Sequence, residues 1–294
     1  MTRTGFIAIV GRPNVGKSTL LNSILGQKIA IVSSKPQTTR NRIAGIETRG
    51  EDQFVFLDTP GIFKPQNSLG DFMVKTANSA MQESDAVILV ADAGYAPGDV
   101  EERVITYLKQ SGTPAILALN KVDLYRREQI AETIVAYAQK HDFFAVVPIS
   151  AKRGRAVEEV LDECAKLLRE GEWFYDEDDI TDQPQRQMAA EIIREKILRT
   201  LDKEIPHGVA VVIEEYTVEE GLVRIRAEIF CEKASHKGIL VGKNGETLKR
   251  IGSYARADLE ALTEAQVYLN LWVKVKENWR ESQRGILDFG YTEE

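Results

Sequence analysis

The sequence predicts two domains in tandem, an α/β domain with a mostly parallel sheet followed by a smaller α+β domain. Three observations carry this. Short β-branched runs alternate with amphipathic segments over residues 1–169; G-R-P-N-V-G-K-S follows the first apolar run; and from Gln185 the order becomes α-β-β-α-α-β with G-K-N-G between its two central helices. At 294 residues the chain is long enough for each domain to bury its own core.

In the first domain, strands are expected at 6–10, 43–48, 54–58, 86–92, 115–120 and 146–149, with helices near 17–25, 69–82, 100–109, 129–140 and 157–168. Gly11 to Ser18 match the phosphate loop G-x-x-x-x-G-K-[ST], placed between the first strand and the first helix. Backbone N–H groups of Gly11, Arg12, Pro13-Asn14-Val15 and Gly16, continuing to Thr19, would close around phosphates (Pro13 contributing no donor). Lys17 supplies charge, and the Ser18 hydroxyl suits Mg²⁺. Asp58, Thr59, Pro60 and Gly61 read D-T-P-G after an apolar strand, so Asp58 can hold the metal through water and Gly61 can offer its N–H to a γ-phosphate. Asn120, Lys121 and Asp123 read N-K-V-D at the end of another strand, and Asp123 can accept from the N1 and N2 donors of guanine. Ser150, Ala151 and Lys152 follow a further apolar run and are assigned to the same base. The ligand predicted by this ordered set is GTP, exchanged with GDP, with Mg²⁺ as the metal.

The segment Gln37-Thr38-Thr39-Arg40-Asn41 is expected to act as a switch together with Asp58–Ile62. Thr38 and Thr39 both qualify as the second Mg²⁺ ligand, and Thr39 is favoured. Ile62 stands where many small GTPases carry a water-orienting Gln, so intrinsic turnover is expected to be slow. Two readings of Asn14 stay open: its carbonyl oxygen helps to hold K⁺, or its side chain braces the loop by bonding to nearby backbone.

Residues 170–184 contain seven acids and no Lys or Arg, broken by Trp173-Phe174-Tyr175. This stretch is read as a linker whose aromatics dock it on one of the domains. In residues 185–294 a helix is expected at 185–201, strands at 209–216 and 222–231, a short helix, the G-K-N-G loop, a helix at 246–262 and a strand at 267–275. That order is the bacterial, type II form of the KH domain. Its glycine loop presses backbone against about four unstacked nucleotides. Lys233, His236, Lys237, Gly242, Lys243, Asn244, Gly245, Lys249 and Arg250 are the candidate RNA contacts. From Lys233 to Arg256 six cations face one acid, Glu246, a local excess of +5 in a chain of net charge −7.

No apolar run approaches the roughly 18 residues of a membrane span, and the N-terminus enters a strand without room for a signal peptide. Cys164 and Cys231 suggest neither a disulfide framework nor a metal site, so a reducing, cytoplasmic compartment is expected.

The chain resembles the Era family within the TrmE-Era-EngA-like GTPases. Beyond the motifs above, the resemblance rests on Pro36–Arg42, on the I-T-D and E-I-I-R-E-K segments between Ile180 and Lys196, and on V-Y-L-N-L-W-V-K-V-K-E-N-W-R at Val267–Arg280. It implies a P-loop GTPase joined to a KH domain that takes the single-stranded 3′ end of 16S rRNA, with the 30S subunit as the larger partner. It also implies a monomer with loose peripheral contact to the inner face of the cell membrane. Lys233 and His236 stand where relatives often carry Arg and Gln. A hydrolysing switch that assists rRNA assembly is the leading reading. A GTPase serving an RNA-modifying enzyme and an RNA-binding protein with a structural nucleotide are the alternatives.

Overall fold

The computed structural model describes residues 1–202 and 205–292. Contacts divide the chain into two units: Met1–Lys64 with Met73–Asp182, and Pro65–Phe72 with the residues from Gln183 on.

In the first unit the strands are β1 (Arg3–Val10), β2 (Ile43–Arg49), β3 (Asp52–Asp58), β4 (Ala86–Asp92), β5 (Ala115–Asn120), β6 (Ala145–Pro148) and β7 (Arg169–Glu170). Helices α1 (Lys17–Leu25), α2 (Ser68–Gln82, begun in the second unit), α3 (Asp99–Ser111), α4 (Arg127–Ala138) and α5 (Val157–Ala165) alternate with them. The sheet order is β2-β3-β1-β4-β5-β6. All these neighbours are parallel except β2, which runs antiparallel to β3, and the two-residue β7, which pairs antiparallel with the start of β1. Every residue of β4 and β5 is buried, as expected of central strands with both faces covered. The carboxyl ends of β1, β3, β4 and β5 therefore lie along one edge of the sheet, where the motif residues are.

The acidic segment lies on this unit as an ordered structure. Gln53 is fully buried in β3; its Nε2 donates to Tyr175 O at 2.9 Å, and its Oε1 accepts from Phe174 N at 2.9 Å and Tyr175 N at 3.1 Å. Trp173 Nε1 donates to Glu51 O at 3.2 Å, the Phe174 ring packs on Phe6 with centroids 4.7 Å apart, and Thr181 Oγ1 donates to Ala44 O at 2.7 Å.

The second unit comprises α6 (Gln185–Thr200), β8 (Ala210–Glu219), β9 (Leu222–Cys231), α7 (Ala234–Val241), α8 (Glu246–Thr263), β10 (Gln266–Val275) and α9 (Gln283–Leu287). Its sheet order is β10-β9-β8, with β10 parallel and β8 antiparallel to β9. One face packs against helices, joining Ile225, Ala227, Ile229, Val267 and Val273 to Ile193, Ile251 and Leu259 in a single core. Pro65–Phe72 counts with this unit: Ser68 Oγ donates to Glu281 O at 2.8 Å, and the Phe72 ring lies 5.9 Å from Tyr291.

Replacing Gln53 with Ala leaves the N–H groups of Phe174 and Tyr175 without their acceptor. The loss expected is about 1–3 kcal/mol, and it should appear as faster amide hydrogen exchange at Phe174 and Tyr175 and a lower denaturation midpoint.

Candidate nucleotide site and nucleic-acid interface

The phosphate loop leaves β1 at Val10 and turns back into α1 through two left-handed residues, Asn14 (φ 62°) and Gly16 (φ 103°). A Cβ on Gly16 would lie 2.3 Å from Asn120 Nδ2, so only glycine permits this approach. Asn14, Lys17, Ser18, Gln37, Thr39 and Gly61 line one cavity at the end of the sheet, and Pro13, Thr19 and Thr38 also contribute to its wall. The Lys17 side chain is buried, and its Nζ donates to the carbonyls of Gly11 at 3.3 Å and Arg12 at 3.0 Å. Burial pushes its pKa down to about 8, with Asp58 pulling the other way.

Ser18, Thr39 and Asp58 converge on one point. Ser18 Oγ donates to Asp58 Oδ2 at 2.6 Å and lies 2.9 Å from Thr39 Oγ1. Thr38 is turned elsewhere, its hydroxyl donating to Lys35 O at 2.7 Å. The geometry thus sets Thr39, the one favoured from sequence, beside Ser18 and Asp58 and turns Thr38 away. Asp58 is fully buried, and its Oδ1 has no hydrogen-bond partner among the described residues. Burial raises its pKa to about 6, against Lys17, Ser18 and Thr39. Two hydroxyls and a buried carboxylate with an orphaned oxygen form a hard-oxygen set that fits Mg²⁺.

The other residues expected to act as a switch are held by the fold around the cavity. Thr59 is buried and donates from Oγ1 to Ile9 O at 2.8 Å; Arg40 is buried; Gln37 has φ 60°. Ile62 N–H donates to Gly11 O at 3.0 Å while its side chain belongs to the core under the sheet. Arg12 Nε meets the buried Glu101 at 2.5 Å, and Asn14 Nδ2 donates to Ser34 O at 2.8 Å.

Asn120 ties the loops together. Its Nδ2 donates to Val15 O at 2.7 Å, and its Oδ1 accepts from Lys121 N at 2.8 Å and Ala151 N at 2.9 Å. Asp123 Oδ1 accepts from Ser150 Oγ at 2.7 Å, and Oδ2 lies 3.2 Å from Arg153 Nε. The Ser150 hydrogen bond, with Arg153 nearby, lowers the Asp123 pKa, so the carboxylate is ionised as an acceptor. Lys152 is exposed at the mouth of this loop. Sequence reasoning missed Asp92, whose carboxylate meets Lys121 Nζ at 2.9 Å and accepts from Gly94 N at 3.1 Å. A signal existed: Asp92 ends β4 directly opposite Asn120 at the end of β5.

In the second unit Gly242 (φ 74°), Asn244 (φ 52°) and Gly245 (φ 79°) make the tight turn between α7 and α8, and Lys243 and Asn244 are exposed on it. A Cβ on Gly242 would stand 2.3 Å from Thr247 Oγ1. Lys233 at the start of α7, Lys237 on α7, and Lys249 and Arg250 on α8 are exposed; His236 is half-buried, with Nδ1 lacking a partner among the described residues. The site therefore offers bare backbone and exposed positive charge together.

A phosphate loop, a D-x-x-G strand end and an N-K-x-D strand end on one sheet edge define a P-loop GTPase, here joined to a KH domain. Residues 6–121 match the family described as 50S ribosome-binding GTPase, and residues 204–280 match the KH domain. GTPase Era of Ruminiclostridium cellulolyticum is 48% identical over 290 residues, covering 98% of this chain and 97% of the relative. That of Clostridioides difficile is 48% identical over 296 residues, covering 100% of each. The solved structure of Era in complex with MgGDPNP and nucleotides 1506–1542 of 16S ribosomal RNA superposes with a TM-score of 0.96 at 38% identity, covering 100% of both chains. A variant of Aquifex aeolicus Era bound to GDP.AlF4⁻ gives a TM-score of 0.96 at 38% identity, covering 99% of this chain and 100% of that one. The chain belongs to the Era family of GTPases. No helix among the described residues is long and apolar enough to cross a membrane.

Thr39→Ala should raise the Mg²⁺ concentration needed to bind a non-hydrolysable GTP analogue by about tenfold, the scale of losing one contact at a metal centre. Thr38→Ala should leave it nearly unchanged. Titration with Mg²⁺, followed by fluorescence of a labelled analogue, measures both.

Proposed function

We propose that this GTPase is a slow switch whose second unit takes the single-stranded 3′ end of 16S rRNA and so assists assembly of the 30S subunit, acting as a cytoplasmic monomer. The observation that carries the reading is the bare G-K-N-G turn, exposed and ringed by cations, in the same chain as the Ser18–Thr39–Asp58 cluster. The Era complex with rRNA nucleotides supports it by likeness.

The reaction is attack of water on the γ-phosphorus of GTP. Lys17 and the loop N–H groups bind and neutralise the outer phosphates, and the Gly61 N–H holds the γ-phosphate in line. Ser18, Thr39 and Asp58 hold the metal site; Mg²⁺, when bound, adds positive charge at the phosphate oxygens. Asp123 accepts from the guanine edge, with Ser150 orienting it, Asn120 bracing the loops around it and Lys121 flanking the base. No side chain at position 62 can orient the water, and this keeps turnover slow.

In the second unit, backbone at Gly242 and Gly245 presses on the sugar-phosphate run while Lys233, Lys237, Lys243, Lys249 and Arg250 neutralise phosphates and His236 donates one hydrogen bond. Replacing Lys243 and Asn244 together with Asp keeps both glycines but opposes phosphates with two carboxylates. Affinity for single-stranded RNA should fall at least about tenfold and GDP affinity should not change. Unaltered RNA binding would remove this turn from the interface.

Asn14 bonds to Ser34 backbone, which is the bracing role; with Nδ2 so engaged, Oδ1 is the atom left for a monovalent cation. A K⁺ held there would make hydrolysis roughly several-fold faster in KCl than in NaCl at equal ionic strength. Asn14→Ala should erase the difference. Equal rates in the two salts for the unmodified protein would leave bracing as the whole of its role.

A further inference from the structure

The sheet of the second unit has an outer face, opposite its helices, that the turn at Gly242 does not use. On β10 this face carries Tyr268, Asn270, Trp272 and Lys274; across the parallel register on β9 stand Arg224, Arg226, Glu228 and Phe230. Tyr268 and Trp272 are 56% and 59% exposed, large values for rings on a sheet. They are four residues apart on one strand, so their Cα atoms are about 13 Å apart. The guanidinium of Arg224 lies 5.8 Å from the centre of the Tyr268 ring. Among the described residues, the C-terminal segment meets this face at one end, where Phe289 packs on Phe230 with centroids 4.9 Å apart.

We infer that Tyr268 and Trp272 form a second RNA contact, a platform on which bases of a single strand stack after leaving the groove beside the Gly242–Gly245 turn. The inference rests on the RNA-binding reading above. A turn of this kind grips about four nucleotides, so a longer strand must continue onto neighbouring surface. Strand β10 is that surface: it packs against α8, which the turn opens, with Gly252 in reach of Leu271, and it is the edge strand of the sheet next to α8.

Two isolated rings separated by Asn270 suit separate bases better than a protein partner, whose interface needs a continuous apolar centre. The charges on the face support stacking over attraction to phosphate. Arg224 pairs with Glu219 at 3.1 Å, Arg226 with Glu215 at 4.0 Å and Lys274 with Glu228 at 2.5 Å, so cations and acids balance. The contribution of the platform should therefore depend little on salt, unlike that of the lysines around the turn.

The test uses the full chain and two oligoribonucleotides cut from the 3′ end of 16S rRNA, about four and about twelve nucleotides long. Trp272→Ala and Tyr268→Ala should each weaken the longer strand by about tenfold, the scale of one lost base–ring stack, leaving the shorter strand and GDP unaffected. Trp272→Phe should keep most of the affinity, and the difference between Trp272→Ala and the unmodified protein should persist at high salt. The longer strand should also quench tryptophan fluorescence, and Trp272→Phe should abolish the quench, since Trp279 is buried and Trp173 belongs to the first unit. Equal affinity of the unmodified protein and both alanine variants for the longer strand overturns the platform. So does equal weakening of both strands, which would assign the effect to the groove. If the unmodified protein binds neither strand, the RNA-binding reading itself falls, and with it the platform.

Discussion

The first unit depends on one buried amide. Asn120 is 3% exposed, and its two polar ends are spent on three chain segments: the carbonyl of Val15, its own neighbour Lys121, and Ala151. The phosphate loop and the loops that begin at Lys121 and Ala151 are thus held by one buried side chain. Losing it would leave buried backbone groups unpaired, each costing about 1–3 kcal/mol. It also explains why position 16 is glycine, since the amide nitrogen occupies the space a Cβ would need. Sequence reasoning assigned Asn120 to the guanine; the structure shows in addition that its side chain braces Val15, Lys121 and Ala151.

Much of this was legible because the informative residues sit at the ends of apolar strands. Val10, Asp58 and Asn120 close β1, β3 and β5, so a run of buried residues followed by a motif locates both the sheet and its functional edge. The six main strands were placed within about three residues at each end, where fraying and hydrogen-bond criteria always blur boundaries. The alternation along 267–275 likewise predicted the two faces of β10. What local pattern could not supply was partner choice. The direction of β2 and the existence of β7 are set by tertiary pairing. The docking of 173–175 hangs on Gln53, a lone polar residue in a strand that carries no local sign of its role.

The second unit was legible in a different way. Its glycine turn is a weak motif, and its meaning came from its place in the element order. Structure adds what order cannot: three of the four residues from Gly242 to Gly245 take positive φ, and the exposed Lys243 and Asn244 leave no bulky side chain over the turn. The cations near it stand on the turn and at and along the flanking helices α7 and α8, whereas those on the outer sheet face are matched one to one by acids. One domain thus presents two chemically different surfaces, one suited to phosphate and one suited to rings.

On the proposed reading, slow hydrolysis follows from packing as much as from chemistry. Ile62 directly follows the D-T-P-G turn, with its N–H bonded to Gly11 and its side chain among Ala8, Val10, Ala77 and Met81 in the core of the first unit. A glutamine there would have to bury an amide among aliphatic groups, or pull out of the core and abandon the turn that sets Gly61 beside Pro13. Either change costs about 1–3 kcal/mol or more. The residue best placed to orient water in other GTPases is here part of the scaffold that positions the phosphate-sensing turn. On the proposed reading any acceleration must then come from charge supplied beside the phosphates, not from this side chain. A switch that waits on its partner is what such a division of labour produces.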